Sequence, residues 1–139
     1  MTENERIVKW NEERNLIKTI DELDIEKEIS FIIEECIEMV SEQNSEQCRE
    51  FAEMVAQQIM ELSDGKLNRR RIVDGAGDIK VFATGLIRKL NYDPDIVMDE
   101  VLSEIESRIG SIQNGKFVKD KSPEAQANWY KADFSKAEL

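Results

Sequence analysis

The segment SFIIEECIEMV, residues 30–40, places three carboxylates among otherwise apolar or small residues: Glu34, Glu35 and Glu38. At about 100° per residue they gather within about a third of a helix circumference. Glu35 and Glu38, at i and i+3, are surface neighbours whose repulsion disfavours the helix, so the pattern favours a cation between them. The alternative is an acidic face in solvent. Phe31 projects into the same arc, which favours a pocket or an interface over open water.

A second acidic pair occurs in the segment IVDGAGDIKVFATGLIRKL. Asp74 and Asp78, at i and i+4, share a helix face with Lys89. Two glycines, Gly75 and Gly77, flank the pair although each costs up to about 1 kcal/mol against Ala in a helix. Close approach to another helix or to a ligand explains them, and a frayed first turn is the alternative.

These two segments together predict a site for a hard divalent cation. If their helices pack side by side, four or five carboxylates converge without a compensating histidine or a nearby lysine on the helix at residues 25–40, which is costly unless a cation neutralises them. All-oxygen ligation matches Mg²⁺ or Mn²⁺ rather than zinc. The chain has no histidine, which excludes Ser-His-Asp and Cys-His nucleophilic catalysis and the common His-containing zinc sites.

The net charge of −11 argues against nonspecific nucleic-acid binding and against an anionic membrane surface. Residues 1–64 hold 18 acidic and 6 basic side chains, whereas residues 65–139 hold 12 acidic and 13 basic side chains. The two halves could therefore bind a cation and an anionic substrate together. No apolar run reaches the roughly 18 residues of a membrane span, and no signal peptide is recognisable, which predicts a cytoplasmic protein. Cys36 and Cys48 lack metal-ligand spacing and are predicted to be buried free thiols.

The elements that must position these residues are predicted to be helices, because the chain has only two prolines and six glycines. The apolar periodicity predicts an all-α single domain over residues 1–139, with five to six helices. Core helices are expected at about 25–40 and 71–90, and a loop with a short helix at about 110–139. The remaining predicted helices are Glu3–Ile20, Ser45–Leu62 and Pro94–Ile109, the last capped by Asp93; the loop is Gly110–Lys121, and the short helix is capped by Ser122.

The two acidic motifs, in this order, resemble those of the MazG-like all-α nucleoside triphosphate pyrophosphohydrolases, particularly the short single-domain members found in bacteriophages. That family carries an EExxE motif, matched by Glu34-Glu35-Cys36-Ile37-Glu38, and a second acidic pair, matched by Asp74-Gly75-Ala76-Gly77-Asp78. The segments KWNEERNLI and GKFVKDKSPEAQANWYKADF resemble the ends of some phage members. Two features depart from the pattern: the second pair is four residues apart rather than three, and residues 41–70 add a helix between the motifs.

The resemblance implies a helical bundle and cleavage of a nucleoside triphosphate between the α and β phosphorus atoms. It implies Mg²⁺, with Mn²⁺ as a possible substitute, held by Glu35, Glu38, Asp74 and Asp78. Glu34 is then expected to be a catalytic base in the second coordination sphere or a further ligand. The family also implies a homodimer or homotetramer, and a deoxynucleotide substrate is favoured because its phage members often serve nucleotide-pool control.

Substrate contacts are expected from cations and aromatic rings outside the acidic motifs. Charge developing on the leaving pyrophosphate needs positive groups, and the candidates are Lys89, Arg108, Lys116, Lys119 and Lys121, each of which could instead be an ordinary solvated cation. Base recognition by stacking and amide contacts points to Trp10, Phe31, Trp129 and Tyr130 with Asn11 and Asn15; Trp10 could equally be a core residue.

Two other functions fit part of the pattern. A noncatalytic helical adaptor that binds a basic partner explains the net charge but not the recurring acidic pairs. A hydrolase of the same fold acting on phosphoribosyl-ATP explains the pairs, although the two ends of the chain resemble that branch less.

Overall fold

The computed structural model describes all residues, Met1–Leu139, and is mostly helical, with one two-stranded sheet. The chain forms two compact units, one of Met1–Ile17 with Arg69–Leu139 and one of Lys18–Asn68. No helix combines the length and the apolar character needed to cross a bilayer. The elements are α1 Glu3–Glu13, α2 Ile25–Glu38, α3 Ser45–Met60, α4 Arg69–Lys89, α5 Pro94–Ser107, β1 Gly110–Gln113, β2 Lys116–Lys119 and α6 Pro123–Ala127, with 3₁₀ turns at Ile20–Glu22 and Phe134–Ala137.

Polar side chains fix where most helices begin. Asp93 accepts hydrogen bonds from the first turn of α5, and Ser122 does the same for α6, each with a proline following, as predicted. Thr2 and Glu5 form a capping box at α1. Each cap satisfies backbone N–H groups that have no partner within the helix.

The first helix is shorter than predicted and stops well before Ile20. Asn15 adopts a positive φ of 54°, and its N–H donates to the Glu12 carbonyl while the N–H of Leu16 donates to the Asn11 carbonyl. This pair of bonds is a Schellman motif, which ends a helix at a left-handed residue that is usually Gly or Asn. The apolar residues beyond Asn15 had suggested continuation, but the backbone turn overrides their spacing.

The predicted loop at Gly110–Lys121 is wrong, because this segment forms the antiparallel β1–β2 hairpin. Asn114 and Gly115 link the strands with φ values of 52° and 75°. A two-residue Asn-Gly connection with both φ values positive matches the right-handed twist of paired strands. Gly110 is required for a second reason, since a Cβ there would lie 2.1 Å from the Val118 carbonyl oxygen.

In the second unit, α2 packs against α3 through small residues. Cys48, Ala52 and Ala56 are fully buried on α3 at intervals of four. Opposite them, α2 buries Ser30 and Glu34. The core helix predicted at about 25–40 is thus not buried along all of its apolar residues, and the exposed ones are Ile32, Cys36, Met39 and Val40. The prediction of a buried thiol is confirmed for Cys48 and wrong for Cys36.

In the first unit, α1, α4 and the C-terminal 3₁₀ turn all contact α5. The sequence predicts α4 as a core helix, but none of its residues is buried in the single chain. Val81 and Phe82 on α4 are 69% and 75% exposed, and Leu90, just after its last residue, is 64% exposed. A 21-residue helix with such an apolar surface is typical of a helix that packs against a further partner.

The C-terminal segment is joined to α5 by hydrogen bonds to two glutamates, one of them buried. Glu100, only 5% exposed, accepts hydrogen bonds from the Tyr130 hydroxyl and the Asp133 N–H. Lys136 Nζ lies 3.6 Å from its other oxygen. Glu104 accepts a hydrogen bond from the Ala132 N–H. These bonds order a segment with little regular secondary structure.

Candidate functional site

The first acidic motif divides into one buried and two exposed carboxylates. Glu34 is 3% exposed, and its Oε2 accepts a hydrogen bond of 2.9 Å from Nη1 of Arg49 on α3. Glu35 and Glu38 are exposed on α2. The three glutamates therefore do not share one environment, and Arg49 of α3 supplies a counter-charge for Glu34.

Arg49 makes several further contacts around Glu34. Its other terminal nitrogen, Nη2, donates to the Ser30 hydroxyl, its guanidinium lies 5.0 Å from the Phe31 ring centroid, and Nε lies 3.2 Å from a Glu53 oxygen. Phe31 is thus half-buried beside a cation rather than set among carboxylates alone. Arg49 was not identified from the sequence. The signal for it was that it is the single cation of the helix that follows the EExxE motif, next to that helix's apolar stripe.

The second acidic motif lies on α4. Asp74 and Asp78 are exposed, and Lys89 is exposed near the end of the same helix. No other side chain or backbone segment comes within 4 Å of a Cβ built at Gly75 or Gly77. The close approach expected at these glycines is therefore absent within the chain.

No group of three or more Cys, Asp or Glu side chains in the chain is arranged to hold a metal ion. Each acidic motif by itself offers two exposed carboxylates, Glu35 with Glu38 and Asp74 with Asp78. Carboxylate oxygens are the donors that Mg²⁺ and Mn²⁺ prefer, and Mg²⁺ sites commonly use one or two carboxylates with water and phosphate oxygens. Each pair thus fits a hard cation in donor type.

Trp10 lies in a cluster of aromatic and cationic side chains in the first unit. Its ring meets Phe117 edge-on at 5.2 Å between centroids, and the Arg14 guanidinium lies 4.2 Å from the Trp10 centroid. The indole Nε1 is buried and has no hydrogen-bond acceptor. An adjoining cleft of about 410 Å³ is lined partly by Arg6, Lys9 and Trp10. Trp10 therefore has both a packed face and a route to solvent.

The amide candidates have structural roles. Asn15, which is exposed, ends α1 through its backbone conformation. Asn11 donates from Nδ2 to the Ile7 carbonyl, 2.8 Å away. Asn11 and Asn15, the residues expected to recognise the base, thus lie where the first helix ends.

The cationic candidates near the hairpin are partly engaged. Arg108 donates to Glu104 at 2.6 Å and lies 5.6 Å from the Trp129 ring centroid. Lys119 Nζ lies at the same distance from that centroid. Lys116 and Lys119 are half-buried on β2, whereas Lys121 is exposed. Two cations beside one indole make Trp129 an electropositive aromatic site.

Comparison with known proteins gives no family model, no curated protein and no solved structure that matches the chain.

Proposed function

We propose that this chain is a metal-dependent nucleoside triphosphate pyrophosphohydrolase, which cleaves a (deoxy)nucleoside triphosphate between the α and β phosphates to a monophosphate and pyrophosphate. The supporting observation is that each acidic motif keeps two exposed carboxylates on one helix, Glu35 with Glu38 and Asp74 with Asp78. An adaptor surface needs no such recurring acidic pairs. The resemblance to MazG-like enzymes supplies the reaction.

In this proposal, Glu35, Glu38, Asp74 and Asp78 hold Mg²⁺ or Mn²⁺. An ion bound by these carboxylates would supply charge neutralisation at phosphate oxygens and a template for in-line attack. Lys89, Arg108, Lys116 and Lys119 are the proposed donors to the departing pyrophosphate, whose negative charge grows during cleavage.

The nucleobase is proposed to bind through aromatic surfaces. Trp10 combines a half-buried ring with an adjoining cleft and nearby cations, which suits a flat heterocycle carrying phosphates. Phe31 and Asn15 complete the set of proposed substrate contacts. Deoxynucleotides are the proposed preference because the phage enzymes that the sequence resembles often serve nucleotide-pool control.

We further propose that the chain acts as a homodimer or homotetramer. Val81 and Phe82 on α4, and Leu90 just after it, expose most of their apolar surface, and burying such surface is a main driving force for association. Two exposed carboxylates on a helix become a larger ligand set when a second copy brings another pair.

The test is a panel of ribo- and deoxynucleoside triphosphates incubated with Mg²⁺ or Mn²⁺, in which monophosphate and pyrophosphate are quantified. Equal amounts of the two products support the proposal. Inorganic phosphate with a diphosphate product contradicts it, because the cut would then fall at the γ phosphorus. Activity on phosphoribosyl-ATP alone favours the related hydrolase, and no turnover at all favours the adaptor.

A further inference from the structure

The pairing of Glu34 with Arg49 gives the first glutamate of the EExxE motif a role different from that of the other two. The side chain of Glu34 is 4% exposed and that of Arg49 is 19% exposed. A carboxylate buried to this degree is costly unless it is paired and hydrogen-bonded. Arg49 meets both requirements, so Glu34 already has a charged hydrogen-bond partner within the unit.

Arg49 also links two successive turns of α2. Its two terminal nitrogens reach Ser30 and Glu34, which are four residues apart and lie on one face of the helix. A planar guanidinium that engages both positions resists rotation of α2 about its axis. The small side chains of Cys48, Ala52 and Ala56 bring α3 close enough for this contact.

The rotation fixed in this way determines where the other two glutamates lie. In an α-helix, Glu35 lies about 100° around the axis from Glu34, and Glu38 lies about one turn further along it. Both are exposed. If α2 turned so as to release Glu34, the directions of Glu35 and Glu38 would change with it.

We infer that Arg49 is a positioning residue for the metal site: it withholds Glu34 from the cation and, by locking α2 on α3, directs Glu35 and Glu38 toward it. The inference rests on the proposed function and adds that the glutamates of the motif have different roles. Glu34 is the anchor of the motif and not a ligand.

The first experiment measures Mn²⁺ binding alone, by electron paramagnetic resonance of free Mn²⁺, so that it does not depend on turnover. Glu34→Gln is compared with the matched variant Glu38→Gln from the same helix. We expect Glu34→Gln to keep Mn²⁺ affinity within about threefold and to melt earlier, whereas Glu38→Gln loses at least about tenfold in affinity and melts like the wild type. Equal losses of affinity in the two variants, with unchanged melting, overturn the inference.

The second experiment tests positioning by rescue. Arg49→Met leaves a buried unpaired carboxylate and is expected to weaken Mn²⁺ binding about tenfold, although Arg49 touches no metal. Adding Glu34→Met replaces the ion pair by two packed apolar side chains, whose contact holds α2 on α3 in place of the guanidinium, a change that buried ion pairs often tolerate. The double variant is therefore expected to recover Mn²⁺ affinity to within about threefold of the wild type.

A folded double variant that fails to recover binding overturns the inference, because Glu34 would then be needed as a ligand. Circular dichroism establishes folding, and the conservative Glu34→Gln variant decides the question if the double variant does not fold. Failure of the proposed function would look different. A wild-type protein that binds no Mn²⁺ and cleaves no triphosphate removes both proposals. A wild-type protein that binds and cleaves normally, with a strong binding defect in Glu34→Gln, removes only the inference about Arg49.

Discussion

The Tyr130 hydroxyl donates a 2.6 Å hydrogen bond to the buried carboxylate of Glu100, thirty residues earlier in the chain. The same carboxylate oxygen accepts the Asp133 N–H, and Lys136 Nζ donates to the Tyr130 oxygen at 2.9 Å. Charge-assisted hydrogen bonds therefore help to hold the C-terminal segment to α5.

Tyr130→Phe is expected to lower the melting temperature by roughly 5 °C, because it removes a hydrogen bond to a buried carboxylate without changing the ring. Tyr92→Phe is the matched control, since Tyr92 is joined to Glu138 through its backbone. Calorimetric melts of both variants check the prediction. Equal melting temperatures for the two would show that the Tyr130 hydroxyl adds nothing.

Lowering the pH should destabilise the contact of the C-terminal segment with α5. The hydrogen bond from Tyr130, reinforced by the Asp133 N–H and by Lys136, lowers the pKa of Glu100 below its ordinary value of 4.5. A lowered folded-state pKa gives stability that is present above pH 4.5 and is lost as pH falls through the folded-state value. Unfolding measured from pH 6 to pH 2 should therefore show a steeper loss in the wild type than in Glu100→Gln. Parallel profiles would contradict this assignment.

Asp78→Asn is expected to reduce Mg²⁺-dependent pyrophosphate release at least about 100-fold, because it replaces a proposed charged ligand by a neutral amide. Helix content should not change, since Asp78 is exposed. Glu50→Gln, an equally exposed change on α3, should keep full activity. Full activity in Asp78→Asn removes this residue from the proposed metal site.

Two glycine substitutions should have opposite effects on stability. Gly110→Ala places a Cβ against the Val118 carbonyl and is expected to cost more than about 1 kcal/mol by distorting the hairpin. Gly77→Ala meets no neighbour and is expected to gain about 0.5–1 kcal/mol through helix propensity. Urea unfolding measures both. A loss of stability in Gly77→Ala would point to a close contact with a second copy at that site.

Phe82→Asp tests the proposed association through α4. Phe82 is 75% exposed in the single chain, so the charged side chain should leave the fold intact while disfavouring an apolar interface. We expect light scattering with size exclusion to show a smaller species than the wild type at equal concentration. Phe134→Asp, at an exposed position in the C-terminal 3₁₀ turn, is the control and should leave the mass unchanged.

Local rules predicted the helix beginnings well, because caps depend on a few neighbouring residues. Helix α5 begins at Asp93 and Pro94, and α6 begins at Ser122 and Pro123, as the sequence indicates. The hairpin at Asn114-Gly115 was equally readable, since Asn-Gly between short strands is a strong turn signal, but the loop interpretation ignored it. The end of α1 at Asn15 was less apparent, because an asparagine that adopts positive φ looks like any other polar residue.

Which face of α2 is buried could not be read from hydrophobic periodicity. Ile32 and Met39 belong to the more apolar face and yet are exposed, while Ser30 and Glu34 are buried. The reason lies outside α2, in one arginine fifteen residues after Glu34. A pattern confined to one helix cannot reveal a counter-charge on another, and the predicted convergence of the two acidic motifs stays a prediction for the same reason.

The difference between the two cysteines has a practical consequence. Cys48 is enclosed between α2 and α3, whereas Cys36 is exposed next to Glu35, and a thiol must be accessible to react. A maleimide dye or nitroxide should therefore attach selectively at Cys36 in the unmodified sequence. The protein thus offers a natural spectroscopic reporter one residue from a proposed ligand, able to register cation or nucleotide binding without engineering.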